Sequence, residues 1–263
     1  MESFPYITKL HKIRSELIKD KTRPEPSWVR ITTITMCSKF LKTVDLKKFR
    51  ENFSKIGSIT VRTQGSRFRG FEWKMKDTAF YNQVTIGYED QYSRKSIKIF
   101  PNGSIQVAGC SDLFDCRRIL RQLSFILRTV MGTEENIPVD EVSVKMINTN
   151  FSLNSSVNLN KVIQKFSRSS IFKVTFDPDR YSAVKVKFAP GEGMKQVTAS
   201  IFSTGKIIVT GAQTLDEIAN SYSIINNIID ADTLVKSVAV NETFGTIMGA
   251  TFEEWARVIK NKI

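Results

Sequence analysis

The stretch "SIFSTGKIIVTGA", residues 200–212, has the pattern of a β-hairpin: two apolar runs lie on either side of a Ser-Thr-Gly-Lys turn. A second stretch, "KIFPNGSIQVAGC" at residues 98–110, has the same layout of aromatic residue, Gly-containing turn, apolar strand and second Gly. Phe100 pairs with Phe202, an offset of 102 residues. The repeated layout predicts that the hairpin is duplicated within the chain.

The similarity extends beyond the hairpin in both directions. "DTAFYNQVTIGYE" from Asp77 and "DPDRYSAVKVKFA" from Asp177 match without a gap. An alternating strand and a short helical segment precede each copy, "VRITTITMC" with "DLKKFRENFSKI" and "VSVKMINTN" with "NLNKVIQKFSRS". After each hairpin, apolar residues at helical spacing predict a long helix, with Ser111 and Thr214 as N-caps. Each half therefore predicts strand, helix, several antiparallel strands and a long helix.

This repeated unit predicts the fold class α+β with pseudo-twofold symmetry. Neither half can close its own sheet, so we expect the two sheets to join edge to edge, with the helices covering one face. The alternation in the second half is incomplete on the other face, where Tyr181, Phe202 and Ile208 point away from the helices. Exposed aromatic and apolar residues on a sheet indicate a binding surface.

Composition favours a polyanionic partner and argues against several kinds of catalytic site. Lys and Arg number 39 against 26 Asp and Glu, a net charge of +13, which favours nucleic acid before membrane. His11 is the single histidine and the three cysteines form no CxxC pair, so we expect no His-based catalysis, no metal and no cofactor. Because no apolar run approaches ~18 residues and no secretory signal is evident, we expect an intracellular soluble protein.

"SIFSTGKIIVTGAQ" closely resembles the second-repeat signature of the TATA-box-binding proteins, and "FDPDRYSAVKVKF" resembles the turn and strand before it. The first-repeat copy, "IKIFPNGSIQVAGC", is more diverged. The chain is identified as a divergent member of that family, and its composition suits a large DNA virus or a protist. The resemblance covers about Trp28 to Asp232 and divides the chain into an N-terminal segment 1–27, repeat one 28–133, repeat two 134–233 and a C-terminal extension 234–263.

The resemblance implies a saddle: a curved ten-stranded antiparallel sheet whose concave face sits on the DNA minor groove, with four helices on the convex face. Members of the family insert two aromatic wedges per repeat into DNA. Carried over, the wedges are Tyr81, Phe100, Tyr181 and Phe202, with Phe80 as the alternative to Tyr81 and a core position as the alternative for Phe100 and Phe202. The groove surface comprises Lys98, Gln106, Ala108, Asn148, Lys187, Ser200, Lys206, Ile208 and Thr210.

The resemblance also implies function and partners. It implies a non-enzymatic general transcription initiation factor that binds AT-rich promoter DNA as a monomer, bends it and recruits RNA polymerase. Asp177 and Asp179 correspond to the acidic turn that docks a factor similar to transcription factor IIB. We expect it in the nucleus, or in a cytoplasmic virus factory or virion. The alternatives are a protein-only adaptor that has lost specific DNA binding, or a substrate-binding module of a nucleic-acid-processing enzyme.

Three further segments leave their roles open. The basic and aromatic stretch 60–76 is longer than its family counterpart and suits either a nucleic-acid-contacting loop or hairpin, or a solvated insert. Arg117, Arg118 and Arg121 lie on the first long helix, where they face an acidic protein or solvent. The tail predicts an amphipathic helix that docks on its own domain or on a partner, with Phe252, Trp255, Ala256 and Ile259 on one face.

Overall fold

An eleven-stranded antiparallel sheet forms the centre of the molecule, as seen in a computed structural model of the chain. The structure describes residues 5–61, 71–77, 82–90, 94–110, 113–235, 246–247 and 250–251. The helices pack against one face of the sheet, and the sheet is curved. The α+β fold class predicted from the sequence repeat is therefore confirmed.

The first half follows the predicted order after one additional helix. It comprises α1 (Pro5–Leu17), β1 (Arg30–Lys39), α2 (Leu46–Ile56), β2 (Ile59–Val61), β3 (Phe71–Lys76), β4 (Val84–Asp90), β5 (Arg94–Ile99), β6 (Ser104–Cys110) and α3 (Leu113–Met131).

The second half repeats the order from β1 onward without a counterpart of β2. It comprises β7 (Ser143–Ser152), α4 (Leu159–Phe166), β8 (Lys173–Asp177), β9 (Tyr181–Phe188), β10 (Val197–Phe202), β11 (Lys206–Ala212) and α5 (Leu215–Ile228). A separate pair, β12 (Thr246–Ile247) and β13 (Ala250–Thr251), follows.

The strand order is β2-β3-β4-β5-β6-β1-β7-β11-β10-β9-β8, so the two halves join through the antiparallel pair β1 and β7. Each half encloses its own hydrophobic core between sheet and helices, around Phe49, Trp73 and Leu123 in the first and around Phe166, Phe188 and Tyr222 in the second. The two cores place all the helices of the repeats on the same side, which leaves the opposite sheet face open.

The expectation of ten strands was wrong by one. The additional strand, β2, comes from the long stretch 60–76 and its flank: it pairs antiparallel with β3, with Ile59 opposite Trp73. The described part of this stretch is therefore paired strand, as the hairpin interpretation predicts, and residues 62–70 between the strands lie outside the described residues.

The two hairpin turns share the same glycine φ and the same hydrogen bond. Gly103 has φ +77° and donates its N–H to the Phe100 carbonyl at 3.0 Å; Gly205 has φ +76° and donates to the Phe202 carbonyl at 2.9 Å. Left-handed φ values are strained for residues with a Cβ, which explains glycine at both positions. The predicted duplication of the hairpin is confirmed down to its turn.

Each helix of the second half begins at a polar N-cap. The Thr214 hydroxyl accepts the Glu217 N–H at 3.1 Å, and the Glu217 carboxylate accepts the Thr214 N–H at 3.1 Å, a reciprocal capping box. Burial disfavours the charged Glu217 carboxylate, but its backbone N–H donors outweigh this and lower its pKa. Thr214 is thus confirmed as an N-cap, whereas Ser111 lies outside the described residues.

The N-terminal helix α1 packs on α5 of the second half. The Lys9 ammonium lies 2.6 Å from the Asp216 carboxylate, and Arg23 donates to the carbonyls of Asn226 and Ile229 at 2.6 Å each. His11 is exposed on this helix. The predicted helix carrying Phe252 and Trp255 falls outside the described residues.

Among the described residues, no three His, Cys, Asp or Glu side chains cluster as metal ligands, and Cys37, Cys110 and Cys116 are free thiols. No described helix has both the length and the apolar character required to cross a membrane.

Candidate nucleic-acid interface

The open face of the sheet is defined by strand alternation. In β10, Val197, Ala199 and Ile201 are buried in the second core, so Thr198, Ser200 and Phe202 lie on the opposite face. The same alternation in β11 buries Ile207 and Val209 and places Lys206, Ile208 and Thr210 on the open face. All six residues on this face of the second hairpin therefore share one surface.

Tyr181 and Phe202 form an aromatic pair at one end of this surface. Their ring centroids are 5.7 Å apart, with an interplanar angle of 66°, an edge-to-face contact. Tyr181 is 37% exposed and Phe202 is half-buried. The Lys185 ammonium lies 4.6 Å from the centre of the Tyr181 ring, within cation–π range. Both rings therefore stand on the open face, outside the second core.

An open groove of about 400 Å³ lies next to Phe202. Lys206 and Ile208 of β11 line it together with Asn150 of β7, which is the register partner of Ile208. Ile208 is 36% exposed although it is fully apolar. The second half thus presents an aromatic and aliphatic patch with a lysine at its edge.

Lysines flank that patch in cross-strand register. Lys187 of β9 lies opposite Lys173 of β8, and Lys185 lies opposite Ser200. The sequence-based interface includes Lys187 but misses Lys185 and Lys173. The sequence did indicate Lys185, because in the alternating "VKVKF" of β9 Lys185 and Lys187 must lie on the same face.

The first half presents a more polar open face. Lys98 of β5 lies between Thr85 of β4 and Gln106 of β6, and Gln106 in turn lies opposite Cys37 of β1. Burial raises the pKa of the Cys37 thiol, although Lys145 and a hydrogen bond with Gln106 act in the opposite direction.

Two more residues that the sequence predicts to contact DNA, Ala108 and Phe100, also lie in the described part of the first half. Ala108 lies between Ser96 and Thr35 and is half-buried. Phe100 is half-buried at the hairpin turn, in the position that corresponds to Phe202. Tyr81 and its alternative Phe80 lie outside the described residues.

The centre of the face is occupied by Thr33 and Asn148, which are register partners across β1 and β7. The Asn148 Nδ2 donates to the Thr33 hydroxyl at 3.0 Å, while its Oδ1 is buried and accepts no hydrogen bond within the described part of the chain. In an ungapped comparison of the repeats, the residue equivalent to Thr33 is Met146, two residues before Asn148. The pairing of β1 with β7 is irregular between Ile31 and Thr33 and between Thr35 and Met36.

Asp177 and Asp179 lie at the turn between β8 and β9, next to Tyr181. Both carboxylates are exposed, and Asp177 forms an ion pair with Arg180 at 3.5 Å. Asp177 is also the register partner of Tyr181. The acidic turn and the aromatic pair are therefore adjacent.

Comparison with known proteins identifies the relationship that this geometry suggests. The family model described as transcription factor TFIID, or TATA-binding protein, matches residues 141–231, which hold the hairpin, the aromatic pair and the acidic turn. Over these residues the chain is similar to the TATA-binding-protein family. The sequence resemblance to this family is thereby confirmed.

Similar proteins come from a virus, a eukaryote and an archaeon. The TATA-box-binding protein-like protein of Acanthamoeba polyphaga mimivirus is 26% identical over 239 residues, which cover 76% of this chain and 65% of that protein. TATA box-binding protein-like 1 of Caenorhabditis elegans is 26% identical over 134 residues, 51% of this chain and 25% of that protein. TATA-box-binding protein 2 of Methanosarcina acetivorans is 24% identical over 164 residues, 60% of this chain and 84% of its own.

Among solved structures, Methanococcus jannaschii TBP aligns with 77% of this chain and 98% of its own, with 12% identity and a TM-score of 0.48.

Proposed function

We propose that this protein is a DNA-binding transcription initiation factor that binds promoter DNA through the minor groove and bends it. The observation that carries the proposal is the Tyr181–Phe202 pair on the open sheet face, beside the apolar groove lined by Ile208. Exposed aromatic rings on a solvent-facing sheet need a ligand that buries them. The similarity to TATA-binding proteins supports DNA as that ligand.

The surface suits a widened minor groove. An aromatic wedge replaces base–base stacking with contact between base and side chain, and an aliphatic sheet face fits the sugars that line the groove. Lys185 and Lys187 of β9, beside the apolar patch, supply cations for the phosphates. The tyrosine hydroxyl of Tyr181 requires a phosphate, base edge or water partner when it is buried.

Asn148 supports the same orientation of DNA. Its Nδ2 donates one N–H to the Thr33 hydroxyl and carries a second N–H. In a complex with DNA, that second N–H can donate to the N3 and O2 acceptors that A·T pairs present in the minor groove.

Partners and location follow from the same proposal. The exposed carboxylates of Asp177 and Asp179 bind a IIB-like factor, and through it RNA polymerase, after DNA is bent. The protein acts as a monomer on DNA that is AT-rich, without catalytic activity of its own. It works in a nucleus or, as the mimivirus relative suggests, in a cytoplasmic virus factory or virion.

Selection of bound duplexes from a random pool, followed by measurement of the bend angle of the selected DNA, tests this proposal. We expect selected AT-rich duplexes to be bent. Minor-groove ligands should compete with the protein, and methylation of major-groove positions should have little effect. Retention of no duplex at low salt would instead support the protein-only adaptor, which the polar face of the first half favours.

A further inference from the structure

The convex sides of the two halves are not equivalent. In the second half, α1 packs on α5 and Lys9 contacts Asp216. The offset of 102 residues between the hairpins places Phe114 of α3 at the position of Asp216. Phe114 is 79% exposed and Phe125, on the same helix, is 70% exposed. Helix α3 therefore presents large exposed apolar side chains at positions where α5 presents polar ones, and α5 has a helix docked on it.

An apolar groove of about 480 Å³ lies beside Phe125. Ile56 at the end of α2, Ile59 of β2, and Ile126 of α3 line it, and the buried Trp73 ring also lines it. Trp73 is held by a hydrogen bond from its Nε1 to the Gln122 side chain at 3.3 Å. Because β2 has no counterpart in the second half, this groove belongs to the first half alone.

The helices that flank the groove are strongly basic. Helix α2 carries Lys47, Lys48, Arg50 and Lys55 against a single acid, Glu51, and α3 carries four arginines against a single acid, Asp115. Lys55 precedes Ile56 of the groove, and Arg121 lies one helical turn before Phe125, so both place charge near its rim. Both of these side chains are exposed.

The second half shows how this protein matches charges between a convex helix and the helix docked on it. Helix α5 contains two acidic residues and no basic residue, and the docked helix α1 contains Lys9, Lys12 and Arg14 against one acid, Glu16. An acidic helix thus receives a basic one. By the same electrostatic matching, the basic rim of the first-half groove selects an acidic helix.

We propose that the groove bounded by α2, β2, β3 and α3 binds an acidic amphipathic helix of a partner protein. Apolar residues at positions i, i+3 or i+4, and i+7 of that helix fill the groove over Trp73, and its carboxylates face Lys55 and Arg121. This surface lies on the helix-covered side of the sheet, opposite the DNA interface, and the proposal does not depend on DNA binding.

The test is a selection from a phage-displayed library of random 16-residue peptides on the full-length protein, with depletion on the Phe125→Asp variant. Phe125 is exposed, so its replacement should leave folding intact, which circular dichroism and thermal melting verify. We expect selected peptides to be net negative, with apolar residues at helical spacing. Basic or neutral winners, or no peptide that distinguishes the two proteins, would overturn the proposal.

The best selected peptide then serves as a fluorescent probe. We expect Phe125→Ala to weaken its binding about tenfold, a typical loss for a central aromatic anchor, and Arg121→Glu to weaken it further in low salt. Ile171→Ala is the matched control, because Ile171 is 67% exposed in the second half, and we expect a change of less than twofold. Equal losses for Phe125→Ala and Ile171→Ala would contradict the assignment.

Two other occupants of the groove, the chain's own C-terminal tail and a second copy of the chain, can be distinguished by experiment. A synthetic peptide with the sequence of residues 251–263 that displaces the probe and loses affinity with Phe125→Ala would show that the chain's own tail is the occupant. A sedimentation equilibrium measurement that finds a dimer dissolved by Phe125→Asp would show a second copy. Either result would overturn the partner proposal.

Discussion

Phe100 and Phe202 occupy matching turns with different surroundings. Phe202 contacts Tyr181 and lies beside a groove lined by the apolar Ile208. The position equivalent to Ile208 in the first half is Gln106, next to Lys98. The apolar environment that receives a DNA base step is therefore concentrated in the second half.

We expect Phe202→Ala and Tyr181→Ala to weaken duplex binding by about 1–3 kcal/mol each, in line with losses of base–aromatic stacking, and to reduce bending. Phe100→Ala should cost less, because its neighbours are polar. Fluorescence titrations with the selected duplex and gel-based bend assays measure both effects. Equal losses in the two halves would contradict this asymmetry.

At the scale of elements, each hairpin turn fits against the loop that follows the central strand of its own half. The Phe40 N–H donates to the Gly103 carbonyl at 2.8 Å, and the Leu153 N–H donates to the Gly205 carbonyl at 2.9 Å. A Cβ on Gly205 would lie only 1.9 Å from the Ser155 carbonyl oxygen. Glycine is thus required there both by its positive φ and by this close approach.

Gly205→Ala should destabilise the protein more than Gly132→Ala. Gly132, just after α3, also has a positive φ, +65°, but an added Cβ meets nothing within 4 Å, so its replacement reports the backbone strain alone, about 1–2 kcal/mol. At Gly205, the backbone around the Ser155 carbonyl must also move to make room for the added Cβ. Urea denaturation of the two variants gives the difference, and equal free energies of unfolding would show that the turn relaxes freely.

The acidic turn between β8 and β9 provides the test of the partner assignment. We expect the double change Asp177→Arg with Asp179→Arg to leave binary DNA binding intact or slightly stronger, because the carboxylates repel phosphates. Assembly of the ternary complex with the cognate IIB-like factor should be lost, as gel-shift titration would measure.

The matched control for that double change is Asp140→Arg with Glu141→Arg, two exposed acids in the segment between α3 and β7. It alters the net charge equally and should preserve the ternary complex. If the complex formed with unchanged affinity on the Asp177 and Asp179 variant, the acidic turn would have no role in docking this factor.

At the scale of the whole molecule, the excess of positive charge is distributed over both sides of the sheet. Lys185 and Lys187 lie on the open face, whereas the basic residues of α2 and α3 lie on the opposite side. Only cations that reach phosphates release counterions when DNA binds. The net charge of +13 therefore overstates the number of DNA contacts.

We expect Lys185→Ala and Lys187→Ala each to lower the slope of log affinity against log salt concentration by about 0.9, the value for one phosphate contact. Lys47→Ala on α2 should leave the slope unchanged, since this exposed lysine lies among the helices. Binding titrations at several salt concentrations measure the slopes. If all three variants had the same salt dependence, the open face of the second half would not be the surface that contacts the DNA phosphates.

Local patterns were sufficient for much of the fold and part of the candidate site. The two-residue period of a strand assigns Ile208 and Thr210 of β11 to one face whatever the rest of the chain does. The Gly-containing turns and the N-cap at Thr214 are likewise short-range features. The repeat itself was visible because matching residues keep a nearly constant offset.

The tertiary structure decided what depends on contacts between distant segments. Register irregularities in the central strand pair set which residue of β7 lies opposite Thr33, and a count of residues cannot reveal where a bulge is inserted. The docking of α1 on α5 joins segments about 200 residues apart in the chain. The sequence by itself determined the duplicated α+β unit and its aromatic open face, because these follow from local spacing; only packing determined the asymmetric convex side, because burial there depends on which distant helix arrives.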